Sequence, residues 1–315
     1  MRAVTIRDGG ALEFAEHPDP QPGGGEVLVR VRAAGLNGAD MLQRKGGYPP
    51  PPGSPADIPG LEFAGEVVQA GPGALRFAEG DRVMGIAGGG GQAELIAIHE
   101  RQLMPVPDGV DWPAAGGFPE VFTTAHDAII GQCALRPGER LLVHGAAGGV
   151  GTAGVQIGAL TGARVTATVR NPGSREKVAG LGAEQVIEPD GFEQHGPFDV
   201  ILELIGAPNL PGDLQALNTW GRIVVIGVGG GFKAEVNLLA LMGKRGTLRA
   251  STLRPRPLEE KADTARAVER ELLPALAAGT IQVPIAQTFA MADAEAAYDA
   301  FATSGKFGKV VLLND

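Results

Sequence analysis

Leu141-Leu142-Val143-His144-Gly145-Ala146-Ala147-Gly148-Gly149-Val150-Gly151 is the stretch whose reading decides the fold. It opens as a short apolar strand and enters A-x-G-x-x-G across Ala146, Gly148 and Gly151. A helical pattern of Ala153, Ile157 and Leu160 follows. Glycine at such a turn lets backbone N–H groups approach a pyrophosphate, and the next helix points its positive end at that anion. A glycine pattern alone says little in a chain with 49 glycines. The strand before it and the helix after it turn it into a dinucleotide-binding signal. The competing reading is a tight strand-to-helix turn with no ligand.

Downstream, strands alternate with helices. Strands are expected at 164–169, 185–187, 199–204, 222–226 and 247–250, with helices near 174–181 and 210–218. Six strands with intervening helices predict a doubly wound parallel sheet, a Rossmann half. Residues 258–278 predict one long amphipathic helix on Leu258, Ala262, Ala265, Val268, Leu272, Leu273 and Leu276. Residues 281–315 mix strands with a helix near 293–303.

Upstream, the grammar differs. Residues 26–32, 66–69 and 82–86 read as short strands, with 26–32 alternating polar and apolar as a half-buried strand should. Gly- and Pro-rich turns separate them, which predicts an antiparallel, barrel-like β domain over the first 110 or so residues. The fold class is therefore α/β, with a β domain joined to a Rossmann sheet.

Composition bounds the partners. A formal net charge of −9 argues against a nucleic-acid partner. No apolar run reaches the roughly 18 residues of a membrane span, and the N-terminus lacks an apolar signal-peptide core. A cytoplasmic protein is expected. The single cysteine, Cys133, excludes an intrachain disulfide and a Cys-rich zinc site.

The end of the second Rossmann strand selects the cofactor. An NADH site usually places Asp or Glu there for the ribose 2′-OH. Residues 152–175 contain no acid but hold Arg164, Arg170 and Arg175. Arg170 follows the strand, where it either meets a 2′-phosphate or is a solvated surface residue. NADPH is the expected cofactor. The histidines His17, His99, His126, His144 and His195 form no H-x₃₋₅-H or H-E-x-x-H pair, so no catalytic zinc is expected. Hydride transfer needs none, because the nicotinamide carries that chemistry.

Several further motifs carry a resemblance. Gly35-Leu36-Asn37-Gly38-Ala39-Asp40, Gln43-Arg44 and Tyr48-Pro49-Pro50-Pro51-Pro52-Gly53 lie near the start. Gly60-Leu61-Glu62-Phe63-Ala64-Gly65, Gly80-Asp81-Arg82-Val83, Ser251-Thr252-Leu253-Arg254 and Gly308-Lys309-Val310-Val311-Leu312 follow. With these the chain resembles the zinc-free, zeta-crystallin-like quinone oxidoreductases of the medium-chain dehydrogenase/reductase superfamily. The resemblance implies a GroES-like catalytic domain at 1–118, a Rossmann cofactor domain at 119–257 and a C-terminal return at 258–315. It implies NADPH-dependent reduction of a quinone or activated enone. It places Asn37 and Tyr48 by nicotinamide and substrate. Thr124, Ala147, Gly148, Gly149, Val150, Arg170, Ser174, Gly206, Gly227 and Lys309 would contact the cofactor. Bland alternatives stand beside these: a turn role for Asn37, packing for Tyr48, and a solvated charge for Lys309. Two departures are visible. The motif's Arg after Asn37 is Gly38, and the Lys and Tyr of many relatives near the adenosine phosphate are Ser174 and Pro189. An open sheet edge at 247–250, which relatives pair across a two-fold axis, predicts a homodimer. The rival function is an NADPH-binding structural or redox-sensing protein with little catalysis.

Overall fold

The computed structural model describes residues 1–314. The chain forms two compact units. Unit 1 comprises residues 1–123, 253–304 and the segment from Lys309 onward; unit 2 comprises 124–252 and 305–308. Residues 119–123 and 253–257, expected with the cofactor domain, thus fall in unit 1. Hydrogen bonds within unit 1 explain both. The Glu120 N–H donates to the buried Glu62 carboxylate (2.8 Å). Arg254 donates to Gly88 O (2.8 Å) and to Gln43 Oε1 (2.6 Å).

Unit 2 holds a six-stranded sheet in which every pairing is parallel. Across it run Gln185–Ile187, Arg164–Thr168, Arg140–Val143, Phe198–Glu203, Leu217–Val225 and Thr247–Ala250. In chain order that is third, second, first, fourth, fifth and sixth, the doubly wound order. The reversal falls between Arg140–Val143 and Phe198–Glu203, and ligands bind outside the carboxyl ends of strands at such a point. Leu142, Phe198, Ile201 and Ile223 build its core. The helix Leu210–Ala216 stops short of the expected 218. Leu217 is fully buried and pairs with Phe198, so the strand begins there.

In unit 1 the sheet order is Ile285–Ala290, Lys309–Leu313, Glu26–Gly35, Glu62–Ala70, Arg82–Ile86 and Leu103–Pro105, with Leu95–His99 also on Glu26–Gly35. All of these pairings are antiparallel except Ile285–Ala290 with Lys309–Leu313. Glu26–Gly35 is central, so Leu28 is buried along with Val27, Val29 and Val31, against the expected alternation. The expected helix over 258–278 divides into Leu258–Glu271 and Leu273–Ala277. Pro274 has no N–H to continue the ladder, and the backbone bends at Leu272, where φ widens to −113° within the right-handed region. Among the described residues no helix is long and apolar enough to cross a membrane.

Candidate functional site

In unit 2 the helix Gly149–Leu160 starts directly after Gly148, whose backbone is extended (φ −79°, ψ 169°). The first N–H groups of a helix have no acceptor within it, so those of Gly149 and Val150 face outward from the turn. A Cβ built on Gly148 would meet only Gly145 O, at 3.4 Å. One built on Gly151 would lie 2.4 Å from Gly145 O and 2.6 Å from Ala146 Cα. Gly151 is therefore needed to seat the helix on its own turn. Gly148 is not, and its missing side chain leaves space above the N–H groups. That space fits a pyrophosphate.

Arg170 is exposed and forms no hydrogen bond or ion pair among the described residues. Arg175 is engaged with Glu188 (2.8 Å). Ser174 is buried at the end of the 3-10 turn Pro172–Ser174 that opens the next helix. Thr124 is buried. Gly206 sits at φ +103°, and a Cβ there would lie 2.5 Å from Gly231 O. A Cβ on Gly227 would lie 2.3 Å from Leu204 O. These two glycines let the loops after Phe198–Glu203 and Leu217–Val225 pack backbone on backbone. Residues 305–308 come back onto the same region. The Gly308 N–H donates to Ala147 O (2.9 Å), and Asn171 Nδ2 donates to Gly305 O (3.0 Å). Sequence reasoning missed this return, because local pattern carries no signal for it.

Beneath the turn lies a polar cluster that sequence reasoning also missed. His144, Glu203 and Asp213 are each 0% exposed. His144 Nε2 lies 2.9 Å from Asp213 Oδ1 and 3.7 Å from Glu203 Oε2. His144 Nδ1 lies 3.2 Å from Thr168 Oγ1, and the Phe192 ring packs edge-on at 4.5 Å. Burial lowers the imidazole to about 4, so the ring is neutral. Burial raises Glu203 and pushes Asp213 up to about 7. Sequence spacing pairs His144 with no other histidine and does not single out these two acids.

In unit 1, three residues from distant segments close a ring. Lys309 Nζ donates to Asn37 Oδ1 (2.7 Å) and Leu36 O (2.7 Å), and pairs with Glu62 Oε1 (2.6 Å). Asn37 Nδ2 donates back to Glu62 Oε1 (2.9 Å). Lys309 is 3% exposed, so the solvated-charge alternative is wrong, and its three hydrogens are spent inside unit 1. Asn37 also precedes the helix Gly38–Arg44, and its own N–H donates to Asp40 Oδ2 (2.8 Å). Burial pushes Asp40 up to about 6, opposed by the N–H groups of Asn37 and Gly60 and by Lys309. Glu62 and Asp40 were quoted only as motif letters. An isolated acid inside the apolar run Leu61-Glu62-Phe63-Ala64 is the signal that would have marked Glu62.

Tyr48 is half-buried, and Arg254 sets its place. The guanidinium lies 5.1 Å over the phenol ring, and Nη1 donates to the Tyr48 carbonyl (3.0 Å). The Tyr48 hydroxyl has no protein partner among the described residues. Burial raises its pKa, the largest influence on it, so at neutral pH it holds its proton and is a donor. Arg254 itself, buried and held also by Gln43 and Gly88, was another motif letter without a role.

Comparison with known proteins places these features. The family description "Alcohol dehydrogenase GroES-like domain" matches residues 23–108. "Zinc-binding dehydrogenase" matches 181–312. The donor set does not fit a catalytic zinc. His195 is the one histidine in that second stretch, which holds no cysteine. The one cluster of three ligand-type side chains among the described residues is His144, Glu203 and Asp213, closed to solvent. A catalytic zinc keeps a position open to substrate. A quinone oxidoreductase of Pseudomonas aeruginosa is 33% identical over 96% of this chain and 95% of its own length. Polyketide synthase GfsB of Streptomyces halstedii is 38% identical over 64% of this chain, which spans only 4% of the synthase. A mycobacterial structure described as complexed with NADPH superposes with TM-score 0.87 at 27% identity, covering 100% of both chains. One described as an NAD-dependent alcohol dehydrogenase does so with TM-score 0.88 at 28% identity, again over 100% of both chains.

Proposed function

Because this chain belongs to the quinone oxidoreductase family of the medium-chain dehydrogenase/reductase superfamily, we propose that it is a zinc-independent, NADPH-dependent reductase of quinones or activated enones. The observation that carries the NADPH assignment is the end of the second Rossmann strand. No acid occurs in 152–175, and the exposed Arg170 there has no protein partner among the described residues. Among arginines in that stretch, Arg175 is occupied by Glu188 and Arg164 by Glu184. Arg170 is the group left to bind a 2′-phosphate. Arg170→Ala is expected to weaken NADPH about 10–150-fold, the worth of one charged hydrogen bond, and to leave NADH unchanged. Equal loss for both cofactors in a fluorescence titration would remove Arg170 from phosphate recognition.

The chain's own groups have separate tasks. The N–H groups of Gly149 and Val150 hold the pyrophosphate, and Ala147 and Gly148 shape the turn around it. When bound, the reduced nicotinamide supplies the hydride. Tyr48 donates its hydroxyl hydrogen bond to the substrate oxygen as negative charge develops there, and solvent supplies the proton that oxygen finally takes. The Asn37–Glu62–Lys309 ring fixes the backbone from Leu36 to Gly38. Thr124, Ser174, Gly206 and Gly227 complete the proposed cofactor contacts as backbone and small groups. Lys309, with its three hydrogens on Leu36, Asn37 and Glu62, holds Asn37 in this reading. Tyr48→Phe keeps the ring under Arg254 and removes only the donor. Turnover is expected to fall roughly 10–100-fold with little change in NADPH affinity. Wild-type kcat on the best acceptor would leave Tyr48 as packing alone.

We also propose a homodimer. Thr247–Ala250 is a sheet edge in unit 2. Trp220, Phe232, Leu238, Leu239 and Met242 of the same unit are all more than half exposed. Apolar side chains of this size near an open edge suit a second copy of this chain. A monomeric mass by light scattering at micromolar concentration would defeat this assignment.

A further inference from the structure

The cluster under the cofactor turn has one atom out of balance. Asp213 Oδ2 is buried with no hydrogen-bond donor facing it. Every other polar atom of the three side chains is accounted for. His144, being neutral, donates from Nε2 to Asp213 Oδ1, which leaves Nδ1 to accept the Thr168 hydroxyl. Thr168 Oγ1 in turn accepts from the Gly145 N–H (3.3 Å). On the far side, Glu203 Oε1 accepts from the N–H groups of Ile205 and of Gly206 (2.7 Å). Glu203 Oε2 accepts from Asn209 Nδ2 (3.0 Å). One carboxylate oxygen each of Glu203 and Asp213 lies within 4.8 Å of the other, beside the His144 ring nitrogen. Two carboxylates cannot bond to each other without a hydrogen between them.

We propose that Asp213 is a positioning residue for the cofactor site: a proton shared between its carboxyl and that of Glu203 closes one hydrogen-bonded chain from Gly145 in the glycine turn to Ile205 and Gly206 in the facing loop. The chain crosses the sheet at its switch point, and both of its ends are backbone of the proposed cofactor site. It therefore rests on the reading of that site as a nucleotide site. The ligand-type atoms of the three residues lie within 4.8 Å of one another, a spacing that also suits a small cation. The hydrogen-bond accounting gives that place to the proton, since only one oxygen is left over and a proton satisfies it.

The charged groups that act on the three are one another: Glu203 on His144, and His144 and Asp213 on Glu203. Phe192, Thr168 and Asn209, which pack against them, carry no charge. Burial raises both acids, so the proton is held below about pH 7 and lost as pH rises through it. Two buried carboxylates then face each other, and the grip of Glu203 on Ile205 and Gly206 weakens.

Asp213→Asn separates the outcomes. Its amide donates to Glu203 and its carbonyl still accepts from His144, so the chain stays closed and no longer titrates. Asp213→Ala opens it at every pH. The ratio of wild-type to Asp213→Asn affinity for NADPH is expected to stay near one at about pH 6. It should fall about tenfold at about pH 9, the scale of one charged hydrogen bond. Asp213→Ala should be weaker at both, with Asp213→Asn rescuing the loss. A wild-type to Asp213→Asn ratio independent of pH would overturn the proposal. Infrared difference spectra of the two proteins without cofactor supply the independent arm. A protonated-carboxyl band present in wild type and absent in Asp213→Asn is expected at about pH 6. Absence of that band, or zinc bound stoichiometrically by wild type and lost in Asp213→Asn, would overturn it too. If NADPH binds nowhere in the pH range while the band is present, the cofactor reading fails and the shared proton stands.

Discussion

Gly148→Val is expected to abolish NADPH binding in a protein that still folds, while Gly151→Val is expected not to fold. The two glycines stand three residues apart in one motif, and the structure gives them different reasons. At Gly148 the backbone is ordinary extended chain, and a Cβ meets nothing closer than Gly145 O at 3.4 Å. Strain at Gly148 is therefore not part of the effect. The valine branches instead fill the space over the Gly149 and Val150 N–H groups. Losing two charge-assisted bonds to the pyrophosphate costs about 3 kcal/mol or more, at least about 100-fold in affinity. At Gly151 a Cβ would sit 2.4 Å from a backbone oxygen, and neither helix nor turn can yield that distance cheaply. Circular dichroism with a cofactor titration on both variants checks the pair. Wild-type affinity in Gly148→Val would show that the ligand does not use this turn.

Lys309→Met should destabilise the protein by about 3–5 kcal/mol, because it leaves the Glu62 carboxylate buried without its cation. Glu62 is 0% exposed, and the neutral hydrogen bonds from Asn37 and the Glu120 N–H do not replace a full charge. The double variant Glu62→Gln, Lys309→Met should recover much of the loss, since a buried pair replaced as a pair is far less costly than a pair broken. Urea unfolding of the two single variants and the double measures the coupling directly. Additive losses, or a Lys309→Met protein as stable as wild type, would mean that the pair does not hold the ring together.

These two cases mark what was legible in the sequence. The doubly wound parallel sheet of unit 2 was legible from 141–151 and the repeated alternation after it, because parallel strands and crossover helices each leave a local period. Gly148 and Arg170 could be singled out for the same reason: their neighbours in sequence are their neighbours in space. The Asn37–Glu62–Lys309 ring could not. Lys309 is 272 residues from Asn37, and no local period records that separation. The polar chain from Gly145 to Gly206 was hidden likewise, since nothing in the expected helix near 210–218 marks Asp213 as buried. Pro274 was visible, and the break it makes in 258–278 was overlooked because the apolar spacing continues across it. The return of 305–308 to unit 2 shows only in the backbone bonds from Gly308 and to Gly305.

The central claim is that this chain moves hydride from NADPH to a quinone or an activated enone without a metal. It is tested most directly by following absorbance of the reduced cofactor in the purified, chelator-treated protein, with a panel of small quinones and enones. NADPH should be oxidised well above background, and NADH at least about tenfold less efficiently, on the scale of one charged hydrogen bond to the 2′-phosphate. No oxidation of NADPH with any acceptor, in a protein that binds NADPH tightly, would contradict the claim in favour of a binding protein without catalysis.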